Sequence, residues 1–257
     1  TTVDTLSALS TGTDTAGIFI TETDHLTVGS VAVSVTQMNA DASTTVMTDG
    51  AQSGLTTLSN NGDIVLSTVN GVIVINQGVV AQGAGNILLA ANGSNNDLTV
   101  NADINSSTGH ITLMAADAIS INADVSTADS GTISIDAQGS DLVMAGTSDI
   151  TATDSSVRLS AANNIALGNI TAMDVSVLAD AGSITNAVGS TMNVSAMNLR
   201  LAADDAIATN ARHLTTTVDT LSALSTGTDT AGIFITETDH LTVGSVAVSV
   251  TQMNADA

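Results

Sequence analysis

The sequence contains no cysteine, proline, tryptophan or tyrosine among its 257 residues. Without cysteine there are no disulfides, no thiolate metal sites and no covalent haem attachment. The absence of proline suits a chain made of interior strands, each of which needs its amide donors. Phe19 and Phe234 are the only aromatic residues. Because large rings normally fill a thick core, the interior must be narrow and filled by Val, Ile, Leu, Ala and Met.

Positive charge is also nearly absent. The chain has no lysine and only three arginines, Arg158, Arg200 and Arg212, and its net charge is −22. Binding to nucleic acid or to an anionic membrane surface needs clustered cations, so both are excluded as functions. No apolar run is long enough to insert into a membrane. A composition that is 43% hydrophobic argues against disorder and predicts a soluble, acidic, folded chain.

One long stretch of sequence occurs twice. Residues 1–42 return without a change as residues 216–257, an offset of 215 residues from residue 1 to residue 216. We interpret residues 1–215 as one repeat unit and residues 216–257 as the start of the next, continuous with the first. Identical sequences are expected to fold alike and to occupy equivalent places. A homogeneous tandem array favours a structural protein over an enzyme.

Within the repeat, short alternating apolar segments are separated by Asn, Gly, Asp and Ser, which is typical of β-strands and turns. The central apolar residue of one recurring segment, here called the marker position, recurs about every 22 residues, the spacing of a β-solenoid. The marker positions are Leu66, Leu89, Leu113, Ile135, Leu159, Val177, Leu201 and Leu221.

Two further short strands follow each marker segment, so one turn has three strands and stacks in parallel on the next. At about 22 residues a turn, the repeat predicts about ten turns, or roughly 48 Å of length at about 4.8 Å per turn. Residues 17–35 are predicted to form one compact turn. Residues 40–54 and 127–131 are predicted to protrude as loops.

The runs AIATNARHLTTTVDTLSAL, GIFITETDHLTVG and VRLSAANNIALGNI resemble segments of giant repetitive bacterial exoproteins of the filamentous-haemagglutinin-like kind. The resemblance covers nearly the whole repeat. It implies a right-handed parallel β-helix, secreted or held at the bacterial cell surface, with a role in adhesion, in a biofilm matrix or in a filament.

An acidic corner is the candidate metal site. Glu22 and Asp24 precede His25, and the copies Glu237 and Asp239 precede His240. Such carboxylates could bind Ca²⁺ weakly, although a solvated acidic corner is the simpler explanation and the one the sequence favours. The nonapeptide calcium pattern of other solenoids is missing, and no cofactor is predicted.

Catalysis has little support in the residues. A β-helix enzyme that degrades polysaccharides needs paired carboxylates or a basic residue in a groove, and aromatic platforms for sugar rings. His110 and His213 have no evident nucleophile or orienting partner in the sequence. We therefore predict a chain that is not an enzyme and keep polysaccharide degradation as a remote alternative.

Outward positions on the strands are a candidate surface for lateral contact. If each marker residue and the apolar residue two positions before it point inward, the residue between them points outward. Exposed aliphatics beside isolated arginines, on an acidic surface, indicate contact with another fibre or another part of the chain. The residues predicted for this contact are Val65, Val74, Leu88, Arg158 and Arg200.

These features together predict the structural shaft of a long extracellular fibre or surface adhesin. Its partners are the neighbouring repeats end to end and identical fibres side by side. The alternative is an adhesive module that binds Ca²⁺ or glycans at its corners.

Overall fold

The structure is a computed structural model that describes residues 1–12, 16–58, 61–227 and 231–255. Over these ranges the chain is all-β, contains no helix and winds into a β-solenoid of about ten turns. The strands of successive turns pair in parallel, so the backbone hydrogen bonds run along the solenoid axis. The predicted parallel β-solenoid is confirmed.

Each turn has three faces, named here in the order in which the chain passes through them. The first face carries the marker positions and is built from five-residue strands in the N-terminal half. They are β3 (Ile18–Glu22), β10 (Ile64–Thr68), β13 (Ile87–Ala91), β16 (Ile111–Ala115) and β19 (Ile133–Ala137).

Shorter strands form the other two faces. The second face contains β1 (Thr5–Leu6), β4 (Leu26–Val28), β11 (Ile73–Ile75), β14 (Leu98–Val100), β17 (Ile119–Ile121), β20 (Leu142–Met144), β22 (Ile165–Leu167) and β24 (Ile184–Asn186). The third face contains β2 (Ala8–Ser10), β9 (Leu55–Thr57), β12 (Val79–Ala81), β15 (Ile104–Ser106), β18 (Val125–Thr127) and β27 (Ile235–Glu237).

Toward the C-terminal end, the third face of one turn runs without a break into the first face of the next. The corner is bridged by long strands, so both faces belong to one continuous sheet. These strands are β21 (Asp149–Ala161), β23 (Asn169–Ala179), β25 (Val194–Ala203) and β26 (Leu214–Ser225), and β28 (Thr242–Val243) pairs with the last of them.

The core is a single aliphatic stack enclosed by the three faces. On each strand alternate residues point inward, as the period of a β-strand requires. Ile64 and Leu66 of β10, for example, are fully buried and pair in register with Ile87 and Leu89 of β13. Valine, isoleucine, leucine and alanine supply almost all of this interior, as the shortage of aromatics predicted.

Residues 30–53 leave the solenoid. After β4 the chain forms an antiparallel excursion in which β5 (Ser30–Val31) pairs with β8 (Gln52–Ser53) and β6 (Ser34–Met38) pairs with β7 (Thr44–Thr48). The loop predicted over residues 40–54 therefore protrudes as part of this hairpin. The prediction that residues 17–35 form one compact turn is wrong, because the third strand of that turn is β9 and not the Val-rich segment of β6.

The two identical segments do not fold alike. Glu22 ends a first-face strand, whereas its copy Glu237 ends β27 on the third face. Thr27 lies on the second face, whereas its copy Thr242 pairs on the first face. The copies differ because the offset of 215 residues is not a whole number of turns, so the same sequence meets different neighbours. The second copy is described apart from residues 228–230 and 256–257.

The excursion also changes the number of turns in a repeat. Because it uses residues without adding a turn, the ten turns extend over the whole described chain, and one repeat adds roughly eight to nine. The marker series is correct up to Leu201. Its last member is Ala223 rather than Leu221, because Leu201 pairs with Ala223 and Leu221 pairs with Leu199.

Candidate functional site

The outward residues of the first face form one continuous column along the solenoid axis. This outer column, in register from turn to turn, consists of Phe19, Val65, Leu88, Thr112, Ser134, Arg158, Ser176, Arg200 and Ser222. The structure thus brings together four of the five residues predicted for lateral contact. Val74 lies apart from them, on the second face between Thr27 and Thr99.

Val65 and Leu88 point away from the core but are not exposed. Their exposed fractions are only 7% and 1%, because they pack with Ala90, Met114 and Met253 in a second, smaller apolar cluster. Met253 belongs to residues 246–253, here called the covering segment. This segment lies over the outer column of its own chain.

Side-chain hydroxyls of the first face hold the covering segment by its backbone. The Thr251 amide donates to the Thr132 hydroxyl at 3.0 Å, and that hydroxyl donates to the Thr251 carbonyl at 3.2 Å. The Met253 amide donates to the Thr112 hydroxyl at 2.9 Å. The Gln252 side chain donates to the Ser134 hydroxyl at 2.9 Å. From the sequence, another part of the chain was predicted as one possible partner of this surface, but residues 246–253 were not singled out, although the row of outward hydroxyl residues was a visible signal.

The two arginines of the outer column occupy different surroundings. Arg158 and Asp136 line an open pocket of ≈ 540 Å³ at the edge of the covering segment, opposite Val248 and Val250. Arg200 donates from Nη1 to the Ser176 hydroxyl at 3.3 Å. Lateral contact of this column with another molecule stays a prediction.

The acidic corners are built from two successive turns. The carboxylate of Glu22 accepts hydrogen bonds from the Thr1 hydroxyl, from the Val3 amide at 3.3 Å and from the Thr23 amide at 2.9 Å. The copy repeats the arrangement on another face. Glu237 accepts from the Thr216 hydroxyl at 2.7 Å, the Val218 amide at 3.1 Å and the Thr238 amide at 2.9 Å. The local motif is therefore kept although the face of the solenoid changes.

These hydrogen bonds occupy the oxygens that a metal ion would need. Burial raises the pKa of Glu22, but the hydrogen bonds from Thr1, Thr23 and Val3 outweigh it and hold the pKa below its usual value. Asp24 and Asp239 are exposed beside these corners. Within the described ranges, no three His, Asp or Glu side chains are grouped so that they could hold a metal ion. Calcium binding here stays a prediction, and it would have to displace the chain's own donors.

The histidines considered for catalysis pair with threonines of the next turn. The Thr132 amide donates to Nδ1 of His110 at 3.1 Å, so the ring proton of His110 lies on Nε2. Burial lowers the pKa of His110, which favours this neutral form. Nδ1 of His213 lies 2.9 Å from the Thr236 hydroxyl. His110 thus positions Thr132, one of the residues that hold the covering segment.

Several of the carboxylates serve the corners of the solenoid. A side-chain oxygen on one turn accepts the backbone amide of the corresponding residue on the next. Asp63 Oδ1 accepts from the Asn86 amide at 2.7 Å, and Asn86 Oδ1 accepts from the His110 amide at 2.8 Å. Similar bonds join Asp124 to Asp149 and Asp141 to Asn164. These corner bonds give Asp63, Asp124 and Asp141 a structural role.

Replacing Asp63 with alanine should lower the free energy of unfolding by about 1–2 kcal/mol, because two donors of Asn86 lose their acceptor. Asp63→Asn is the matched control. It keeps the accepting oxygen and removes only the charge, so it should change the stability by less than about 0.5 kcal/mol. Urea unfolding followed by circular dichroism measures both. Equal losses in the two variants would show that the charge, and not the hydrogen bond, stabilises the corner.

No protein-family profile, no curated protein and no solved structure matches the chain in comparisons with known proteins. In the part of the chain that the structure describes, no helix is long and apolar enough to cross a membrane.

Proposed function

We propose that this chain is part of the shaft of a long fibre or adhesin at the bacterial cell surface, with a structural and not a catalytic role. One observation carries the proposal. The first residues of the second repeat pair directly with the last complete turn of the first repeat, from Val194 with Thr216 to Ala203 with Ser225. The end of one repeat is therefore the template for the next.

Four properties of the chain suit a shaft. The hydrogen bonds of successive turns run along the axis, which stiffens the solenoid in that direction. Over the described residues on either side of the junction the aliphatic core is continuous, so no hinge interrupts it there. The net charge of −22 keeps a long rod soluble. A bare sheet edge at the end of a repeat would aggregate, and the next repeat covers it.

Electron microscopy of chains that carry one, two and four tandem copies of residues 1–215 tests the proposal. Each added copy should lengthen a straight, thin rod by about 40 Å, since it adds roughly eight to nine turns at about 4.8 Å per turn. A matched chain with a Gly/Ser linker between the copies should instead give hinged beads. Length that does not grow with copy number, or beads without the linker, would contradict the shaft.

A further inference from the structure

The same eight residues, VAVSVTQM, occur in this structure in two states. As residues 31–38 they lead into and form β6 of the hairpin, where Val35 is 57% exposed and Met38 is 70% exposed. As residues 246–253 they form the covering segment, where the corresponding Val250 and Met253 are half-buried against the first face. The sequence is identical, so the difference lies in what each copy contacts.

The first face presents the groups that this segment needs. Val65 and Leu88 offer an apolar surface to Met253. The hydroxyls of Thr132 and Thr112 bind the backbone of Thr251 and Met253. Valines at alternate positions of the segment turn toward the sheet, as the period of an extended chain allows. The contact is thus a matched apolar and polar surface.

In the exposed copy, the backbone groups that correspond to those bound in the covering segment lie on the edge of β6 that faces away from β7. The amide of Asn39 donates to the Ser43 carbonyl, and the Asp49 amide donates to the Val33 carbonyl. In an antiparallel pair, bonding groups alternate along the strand, so the odd-numbered residues of β6 bond to β7. Thr36 and Met38, which correspond to Thr251 and Met253, therefore direct their amides and carbonyls away from β7.

We infer that the outer column of the first face is a docking surface for this eight-residue segment, and that its partner is a second copy of this chain. Residues 31–38 of one molecule dock on the first face of another, in competition with the covering segment of that molecule. The covering segment is favoured by being on the same chain, so docking between molecules follows its displacement. This inference concerns the chain itself and does not rest on the proposed shaft.

Matched charge substitutions in the two copies test the inference. In V250D/M253D the covering segment should leave the first face, and the hairpin of another molecule should take its place. Loss of the half-buried side chains should raise the fraction of molecules whose first face is uncovered. The self-association constant should rise with it, by about tenfold or more. V35D/M38D makes the same changes in the exposed copy and should leave the protein monomeric. Sedimentation velocity at about 0.15 M salt, where exposed charges are screened beyond about 8 Å, measures the association.

Two further variants identify the surfaces. Combining V35D/M38D with V250D/M253D should abolish the association, and so should adding Leu88→Asp to V250D/M253D. Hydrogen exchange of residues 246–253 reports release of the covering segment in each variant. The inference is overturned if V250D/M253D stays monomeric, if its covering segment stays protected, or if the combined variants associate as strongly as V250D/M253D.

Discussion

Replacing Leu89 with alanine is expected to lower the free energy of unfolding by about 2–5 kcal/mol. Leu89 is fully buried in the aliphatic core and lies in register between Leu66 and Leu113 of the adjacent turns. Those neighbours are held by the hydrogen bonds of their own strands, so they cannot move along the axis to fill the space. The cavity therefore stays, and the loss should fall in the upper half of the range. Urea unfolding followed by circular dichroism measures it.

The adjacent leucine is the control. Leu88 is almost as inaccessible as Leu89, with an exposed fraction of 1%, but it points outward beneath Met114 and Met253. Because these covering side chains are partly exposed and free to adjust, Leu88→Ala should cost only about 1–2 kcal/mol. Equal effects of the two substitutions would contradict the assignment of one leucine to the core and the other to the outer column.

The pattern of the sequence was sufficient to predict the solenoid for two reasons. Side chains along a strand alternate between inward and outward, and each turn uses a nearly constant number of residues. Leu66, Leu113 and Ile135 were predicted to point inward from this alternation alone, and all three are fully buried. Parallel pairing follows because equivalent strands of successive turns run in the same direction. These features depend on local sequence and on repetition, which are both visible in one chain.

The conformation of VAVSVTQM could not be predicted in this way. Its alternating valines fit a solenoid strand, a hairpin strand and a covering segment equally well. In the first copy, residues 44–48 follow after a short turn and pair with it. In the second copy, the segment instead contacts the outer side of the first face. The choice depends on neighbours distant in sequence, and the shift of the repeat relative to the turns changes those neighbours.

The candidate sites were predicted only in part for a similar reason. Val65 and Leu88 were correctly assigned to an outward column, but the segment that covers them lies more than 150 residues away in sequence. Glu22 was recognised as a conspicuous carboxylate. Two of its donors, Thr1 and Val3, come from the preceding turn, and only the register of the turns shows that they reach it.

Replacing Gly109 with alanine should also be strongly destabilising, by about 3 kcal/mol. A Gly-x-Ile pattern precedes each of β10, β13, β16 and β19, and its glycines, Gly62, Gly85, Gly109 and Gly131, are buried and stacked from turn to turn. A β-carbon at Gly109 would overlap the carbonyl oxygen of Gly85. That oxygen belongs to the backbone and accepts from the Ser106 hydroxyl at 2.7 Å, so it cannot move aside without separating two turns.

Gly50→Ala separates this steric effect from the general effect of removing a glycine. Gly50 is exposed in the excursion, and a β-carbon there meets no atom within 4 Å. Alanine restricts the unfolded chain equally at both positions, so Gly50→Ala should be neutral or stabilise the fold by up to about 1 kcal/mol. Urea unfolding of the two variants measures the difference. If Gly109→Ala were as stable as Gly50→Ala, the turns would not be in close backbone contact at this corner, and the Gly-x-Ile pattern would need another explanation.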